Sequence, residues 1–337
     1  MRTEEVPILP ARSRDSSGPK IVAFGGGHGL YAALRAFRLL TERLTAVVTV
    51  ADDGGSSGRL REEFGTLPPG DLRMALAALC DDGEWGRTWR DVIQHRFSSA
   101  GDLGGHSVGN LLITALWELL DDHVDGLDWM ARLLRAHGRV LPMSSVPLTI
   151  EADVSGLDPG DPALTWTIRG QSRVAVTTGH VEHVRLDPPR PPAREETIQS
   201  VREADVLNLG PGSWYTSVMT HLLVPDLHDA IRDSSALKLL TLNVHPGRGE
   251  TRNLSMTAHL ESLHRHAPEL RVDWILADER IADEEPGLAE TANRLFGARL
   301  WRGNYAVANR QKHDSLKLAA GYRDVLIAED IVVEEQW

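Results

Sequence analysis

Residues 20–50 constrain the fold most, because they contain two strand-like runs separated by glycines and a helical pattern. Ile21 to Phe24 form a short apolar run, the glycine-rich GGGHGL follows, and apolar residues then recur every three or four positions. The next segment, LTAVVTV (44–50), is a continuous β-branched run, as expected of a parallel strand covered on both faces. This order predicts a parallel α/β sheet.

The same alternation continues along most of the chain. Helical patterns follow in PPGDLRMALAALC, HSVGNLLITALWELL and DGLDWMARLLRAHG, and we expect Gly138 to end the last of these helices. We predict a Rossmann-like, doubly wound, mostly parallel sheet with helices on both faces and a small antiparallel β excursion at about 140–195. The predicted domain covers residues 20–325, between a disordered N-terminal tail (1–19) and a C-terminal tail (326–337).

Charge and composition exclude several classes of partner. The formal net charge of −12 argues against sequence-independent nucleic-acid binding, which needs a basic face, and against an anionic membrane surface. No window reaches the apolar length of a membrane span, so no membrane insertion is expected. The one cysteine, Cys80, lies in an apolar helical run and is interpreted as a buried core thiol of a cytoplasmic protein. Apolar helix faces are compatible with a homodimer, but the sequence locates neither an interface nor a regulatory partner.

Four glycine-bearing loops follow predicted strands, at 25–30, 51–59, 210–213 and 245–253. The carboxyl ends of parallel strands meet at one edge of a sheet, where ligands bind, so we predict one shared cleft. Glycine loops and helix starts supply backbone N–H groups to ligand phosphates. We interpret the fourth loop, HPGRGETRN, as a rim of the cleft. The glycine spacing matches neither the dinucleotide fingerprint nor the P-loop, which makes an NAD-dependent dehydrogenase the weakest interpretation.

Asp52 and Asp53 follow the second predicted strand directly, in VADDGGSSGRLR. One of these carboxylates could hold a divalent cation such as Mg²⁺, hydrogen-bond a sugar hydroxyl or act as a base. Helix capping and turn formation are the structural alternative. Arg59 or Arg61 could pair with a phosphate, and Asn110 could present its amide to a base or a metal. No histidine or cysteine spacing is typical of zinc.

The segments AFGGGHGL, VTVADDGGSSGRLR, LPPGDLRMALAAL, GHSVGNLLITAL, LGPGSWYTSV and LLVPDL together resemble the CofD-like superfamily. Within it they look like the gluconeogenesis-factor branch (YvcK-like, UPF0052), from about residue 20 to about 325. The resemblance implies a cytoplasmic Rossmann-like protein that binds a UDP-sugar such as UDP-N-acetylglucosamine and acts in carbon metabolism and cell shape. The sister branch is the 2-phospho-L-lactate transferase, which couples a nucleotide-diphosphate-activated lactate to a deazaflavin alcohol with magnesium. The longer DDGGSSGRL loop favours the UDP-sugar branch.

The leading interpretation is therefore a regulatory UDP-sugar-binding protein without turnover, because the sequence shows no clear base–nucleophile pair. The alternative is a Mg²⁺-dependent phosphotransferase in which Asp53 is catalytic. Two positions depart from the family pattern: His28 replaces a common threonine, and Lys312 replaces an arginine thought to hold the nucleotide sugar, keeping the charge but losing bidentate geometry. The predicted ligand-binding residues are Gly25, Gly26, Gly27, His28, Gly29, Leu30, Asp52, Asp53, Ser56, Ser57, Arg59, Asn110, Gly210, Pro211, Gly212, Ser213 and Lys312.

Overall fold

A computed structural model describes residues 18–245, 249–252, 254–308 and 312–331. Most of the predicted N-terminal tail and the last six residues of the chain lie outside these ranges. The centre of the described chain is a seven-stranded sheet in which every neighbouring pair of strands is parallel. In spatial order its strands are β10 (Arg299–Gly303), β9 (Trp274–Asp278), β8 (Leu237–Thr241), β7 (Val206–Leu209), β1 (Ile21–Gly25), β2 (Leu44–Val48) and β3 (Arg139–Pro142).

Strand β1 lies where the strand order reverses. The chain continues to β2 and β3 on one side of it, and β7 to β10 are added on the other. Ile21 pairs with Leu44 on one side and with Val206 on the other. All five residues of β1 are buried, as expected of a central strand covered on both faces. The predicted doubly wound α/β fold is confirmed, and this reversal is where such sheets bind ligands.

The helices follow the predicted alternation, with two differences at their ends. Helix α6 stops at Leu134 because Arg135 takes a left-handed conformation (φ 49°), so Gly138 does not end it as predicted. Helix α13 runs to Ala328, beyond the predicted domain boundary, because Leu326 is buried in the core. The helices are α1 (Gly27–Phe37), α2 (Gly55–Phe64), α3 (Gly70–Leu79), α4 (Glu84–Gln94), α5 (Val108–Leu120), α6 (His123–Leu134), α7 (Gln171–Val174), α8 (Glu195–Arg202), α9 (Pro225–Asp233), α10 (Met256–His266), α11 (Glu279–Glu284), α12 (Leu288–Phe296) and α13 (Ser315–Ala328). Single irregular helical turns cover Trp214–Val218, Met219–Leu223 and Gly249–Thr251.

A separate antiparallel sheet forms within the predicted β excursion. Its strands are β4 (Thr149–Ser155), β5 (Trp166–Arg169) and β6 (His180–Asp187), in the spatial order β5-β4-β6. Along β4, Ile150, Ala152 and Val154 are buried and alternate with partly exposed residues, the period of a half-buried strand. The first residues of the predicted excursion instead form β3, which belongs to the main sheet. The short helix α7 lies in the chain between β5 and β6.

Candidate functional site

The loops that follow β1 and β7 are in direct contact. A Cβ atom built on Gly29 would lie 2.2 Å from the carbonyl oxygen of Pro211 and 2.6 Å from the Cα of Gly212. Only glycine at position 29 therefore allows the two backbones to approach this closely. Gly25, Gly26 and Leu30, in the same loop, are buried.

Two asparagines fix the turn at 210–213. Asn208, in β7, donates its amide to the carbonyl oxygen of Gly210 at 2.5 Å. Asn243, just after β8, accepts from the N–H of Gly212 at 3.1 Å and donates to its carbonyl oxygen at 2.7 Å. The backbone of the turn is thus held from both sides by side chains that the sequence analysis did not select. An asparagine at the end of a strongly apolar strand is the signal that could have identified Asn243.

A cleft of about 650 Å³ opens beside these loops, at the carboxyl ends of β1, β7 and β8. None of its described lining residues is an aspartate or a glutamate, although the whole chain has a net charge of −12. Lys312 and three histidines are among them. The cleft therefore favours an anionic ligand. The predicted site residues that line it are His28, Gly29, Gly212, Ser213 and Lys312.

A second cleft, of about 760 Å³, lies at the opposite edge of the sheet, beside the first residues of β1 and β2. Its lining mixes cations such as Lys20 and Arg139 with several glutamates, of which Glu203 is already paired with Lys20 at 2.9 Å. Ligands of open parallel sheets bind at the carboxyl ends of the strands. We therefore assign the candidate site to the smaller cleft.

Asp52 and Asp71 form an acidic pair next to the first glycine loop. The Asp71 carboxylate accepts a hydrogen bond from the N–H of Gly27, and a Cβ on Gly26 would lie 2.4 Å from its Oδ2 atom. Burial, together with the nearby charge of Asp52, raises the pKa of Asp71 to about 7. Asp71 lies in the predicted helix PPGDLRMALAALC and was not among the predicted site residues. Its approach to Gly26 depends on the packing of α1 against α3, which local sequence does not reveal.

Asp53 points away from this acidic pair. Its Oδ1 atom accepts a hydrogen bond from the backbone N–H of Ser172 at 2.8 Å. Asp52 instead accepts from the N–H of Gly54 at 2.9 Å. Neighbouring side chains of an extended segment point to opposite sides, so the two adjacent aspartates do not form a single ligand set.

Ser56, Ser57, Arg59 and Asn110 do not line the cleft of about 650 Å³. Ser56 is buried, and its hydroxyl lies 3.0 Å from His106 Nδ1 and 3.0 Å from the amide nitrogen of Asn110. Ser57 is also buried, whereas Arg59 donates to the carbonyl oxygens of Asp102 and Gly104. These contacts attach the start of α2 to the segment before α5. In this structure the four residues therefore lie outside the cleft that we assign as the candidate site.

Glu250, in the predicted rim loop, is buried rather than exposed. Its Oε1 atom accepts hydrogen bonds from the hydroxyl of Ser213 at 2.5 Å and from the N–H of Tyr215 at 3.2 Å. Burial raises the pKa of the Glu250 carboxyl group, while these hydrogen bonds oppose the shift. Through Glu250, the loop after β8 therefore fixes the position of the loop after β7. Residues 246–248 and 253 of the rim lie outside the described residues.

The acidic pair is suited to magnesium only together with a ligand. Within the described ranges, no group of three or more His, Cys, Asp or Glu side chains could hold a metal ion. Mg²⁺ is often held by one or two carboxylates, with phosphates and water completing its shell. Asp52 and Asp71 supply two carboxylates, so a magnesium ion beside them would need phosphates or water to complete its shell. Among the described helices, none is both long and apolar enough to cross a membrane.

Comparisons with known proteins identify the family. A family model described as 2-phospho-L-lactate transferase CofD matches residues 21–308. The "Putative gluconeogenesis factor" of Mycobacterium tuberculosis (strain H37Rv) is 50% identical over 318 residues, covering 94% of this chain and 92% of the relative. The "Gluconeogenesis factor" of Bacillus subtilis is 38% identical over 267 residues, covering 79% of this chain and 81% of the relative.

A solved structure supports the same assignment. The crystal structure of a UPF0052 family member from Bacillus halodurans has a TM-score of 0.79 and 31% sequence identity, and the match covers 90% of this chain and 98% of that one. Both the α/β fold and the predicted family are confirmed. The chain belongs to the CofD-like family, and proteins named gluconeogenesis factors are among its relatives.

Proposed function

We propose that the chain binds a UDP-sugar, such as UDP-N-acetylglucosamine, in the cleft of about 650 Å³. The observation that carries the proposal is that the described lining of this cleft contains no acidic residue in a strongly acidic chain. The two glycine loops allow a diphosphate to approach backbone N–H groups at the start of α1. Lys312 supplies a cation beside them.

The bound sugar nucleotide acts in this proposal as a signal rather than a substrate. The protein then regulates carbon metabolism and cell shape in the cytoplasm, and the names of its relatives support the link to carbon metabolism. Ser213 donates its hydroxyl to Glu250, and Asp53 accepts from the backbone of Ser172. Both groups are thus engaged within the protein, which favours binding without turnover.

Replacing Lys312 is expected to weaken binding of the diphosphate. Lys312→Ala removes a cation that lines the cleft, so the Kd for UDP-N-acetylglucosamine should rise at least about tenfold, the usual effect of losing a charge-assisted hydrogen bond. Lys312→Arg keeps the charge and should change the Kd by less than about threefold. Isothermal titration calorimetry measures the Kd of both variants, with GDP as a competing nucleotide.

The matched control for this experiment is Lys20→Ala. Lys20 lies at the opposite edge of the sheet, so its removal changes the net charge equally but should leave the Kd unchanged. Wild-type protein that binds no uridine nucleotide at millimolar concentration would refute the proposed function.

A second candidate function is a Mg²⁺-dependent phosphotransferase. It is favoured by the family description and by the acidic pair formed by Asp52 and Asp71. Bound magnesium would neutralise charge on the ligand phosphates, and these two carboxylates would hold it. Asp53 is the predicted catalytic residue of this alternative, although one of its carboxylate oxygens accepts from Ser172.

Asp52→Asn tests the transferase directly. A transferase supplied with a nucleotide-diphosphate-activated lactate and a deazaflavin alcohol should release nucleoside monophosphate in the presence of Mg²⁺, and Asp52→Asn should reduce the rate at least about a hundredfold. The same variant should lose Mg²⁺ binding in calorimetry with nucleotide present, a readout independent of turnover. If the wild-type protein releases no nucleoside monophosphate but still binds the UDP-sugar, the result favours the binding protein over the transferase.

A further inference from the structure

Helix α7 and the residues around it, 170–177, contact two different loops at the carboxyl edge of the main sheet. We call these residues the strap. One end of the strap contacts the loop after β2, and the other contacts the loop after β8. In the sheet these two strands are separated by β7 and β1. The strap therefore connects the two sides of the region where the glycine loops meet.

The amino end of the strap is held by Asp53. The Oδ1 atom of Asp53 accepts the hydrogen bond from Ser172 N–H at 2.8 Å. A Cβ built on Gly170 would lie 2.2 Å from Oδ2 of Asp53, and Gly170 has a φ of 103°. A Cβ built on Gly54 would lie 3.8 Å from that of Ser172. The backbone of the strap is therefore packed directly on the loop after β2.

The carboxyl end of the strap is held by the loop after β8. The carbonyl oxygen of Ala175 accepts a hydrogen bond from Glu250 N–H at 3.3 Å. A Cβ on Gly249 would lie 2.0 Å from the same oxygen, and the φ of Gly249 is 70°, so glycine is required there. Through its buried carboxylate, Glu250 also holds Ser213 and Tyr215. A continuous chain of contacts thus runs from Asp53 through the strap to the turn at 210–213.

We propose that Asp53 is a positioning residue that fastens the strap to the loop after β2, rather than a residue that contacts the ligand or reacts with it. The strap sets the distance between the loops after β2 and β8, and through Glu250 it sets the position of the loop after β7. The structural part of this proposal is independent of the proposed function. Only its consequence for affinity rests on the binding of a UDP-sugar.

Hydrogen exchange of the ligand-free, full-length protein tests the structural part. Asp53→Ala should accelerate exchange of the Ser172 amide at least about tenfold, because the oxygen that accepts its hydrogen bond is removed. Asp53→Asn keeps a side-chain oxygen that accepts from this amide and should change the rate by less than about threefold. Asp161→Ala, which removes an exposed carboxylate between β4 and β5, is the matched control and should have no effect.

A variant at the other end keeps the test decisive if Asp53→Ala fails to fold. Gly249→Ala places a Cβ against the Ala175 carbonyl oxygen and should accelerate exchange of the Glu250 amide at least about tenfold, while Ser172 changes less. Unchanged exchange at Ser172 in Asp53→Ala overturns the proposal. So does an Asp53→Asn variant that accelerates exchange as much as Asp53→Ala.

Calorimetry with UDP-N-acetylglucosamine tests the consequence for binding. Asp53→Ala should raise the Kd at least about tenfold and Asp53→Asn by less than about threefold, because the charge is not required for positioning. The positioning role is overturned if both variants lose the same affinity for UDP-N-acetylglucosamine while exchange at Ser172 stays normal in Asp53→Asn. That result would mean that the carboxylate acts on the ligand. If wild type binds no uridine nucleotide, the proposed function fails while the exchange result still decides whether Asp53 holds the strap.

Discussion

Gly29→Ala is expected to destabilise the protein by about 3 kcal/mol and to abolish ligand binding. The added Cβ would lie 2.2 Å from the Pro211 carbonyl oxygen and 2.6 Å from the Gly212 Cα, both of them backbone atoms. The turn cannot yield easily, because Asn208 and Asn243 hold its backbone from both sides. The two glycine loops must therefore separate. Urea unfolding measures the loss of stability, and calorimetry with UDP-N-acetylglucosamine measures the loss of binding.

Gly55→Ala is the matched control for this prediction. Gly55 also has a positive φ, of 48°, but a Cβ there would meet no atom within 4 Å. Gly55→Ala should therefore lower the stability only through backbone strain, by about 1 kcal/mol. A Gly29→Ala variant as stable as Gly55→Ala would show that the two loops are not in the close contact described above.

Acid is expected to destabilise the fold through His221, by about 2 kcal/mol between pH 7 and pH 5. His221 is fully buried, its Nε2 atom lies 3.1 Å from the carbonyl oxygen of Val47, and burial lowers its pKa to about 4. In the unfolded chain the pKa returns to about 6.5, so the unfolded state binds more protons between these two values. The stabilisation is complete above about pH 6.5 and is lost as the pH falls towards 4. The measurement is the free energy of unfolding in urea across this range.

A variant at position 221 isolates this contribution from the many carboxylates of the chain. His221→Gln keeps an amide donor for the Val47 carbonyl oxygen but does not titrate. Between pH 7 and pH 5, the free energy of unfolding of this variant should fall by about 2 kcal/mol less than that of the wild type. Parallel curves for the two proteins would mean that His221 does not carry the acid sensitivity.

The parallel sheet could be predicted from the sequence because its signals are local. The buried runs of β1 and β2 are apolar, glycines follow each strand, and helical periods come next. These features also predicted that the four loops would lie at one edge. The predictions were weaker where a helix end depends on one backbone conformation. Helix α6 ends at Leu134, before the expected Gly138, because Arg135 is in the left-handed region.

The roles of the polar residues could be predicted only in part. Among the predicted turn residues, His28, Gly29, Gly212 and Ser213 line the cleft, whereas Gly25, Gly26 and Leu30 are buried. The side chains of Ser56 and Asn110 lie in a buried cluster, and Asp53 lies against the strap. Asp71 and Glu250, which the structure brings to the glycine loops, carry no local pattern that distinguishes them from helix-start or surface acids.

The sequence by itself determined the α/β fold and the family, since each follows from residues close together in the chain or from recurring motifs. The tertiary structure alone decided which acids meet. Asp53 and Ser172 are 119 residues apart, and Asp71 reaches Gly27 only because α3 packs beside α1. The physical reason is that a side chain's direction depends on the packing of distant elements, whereas strand and helix periods depend on near neighbours.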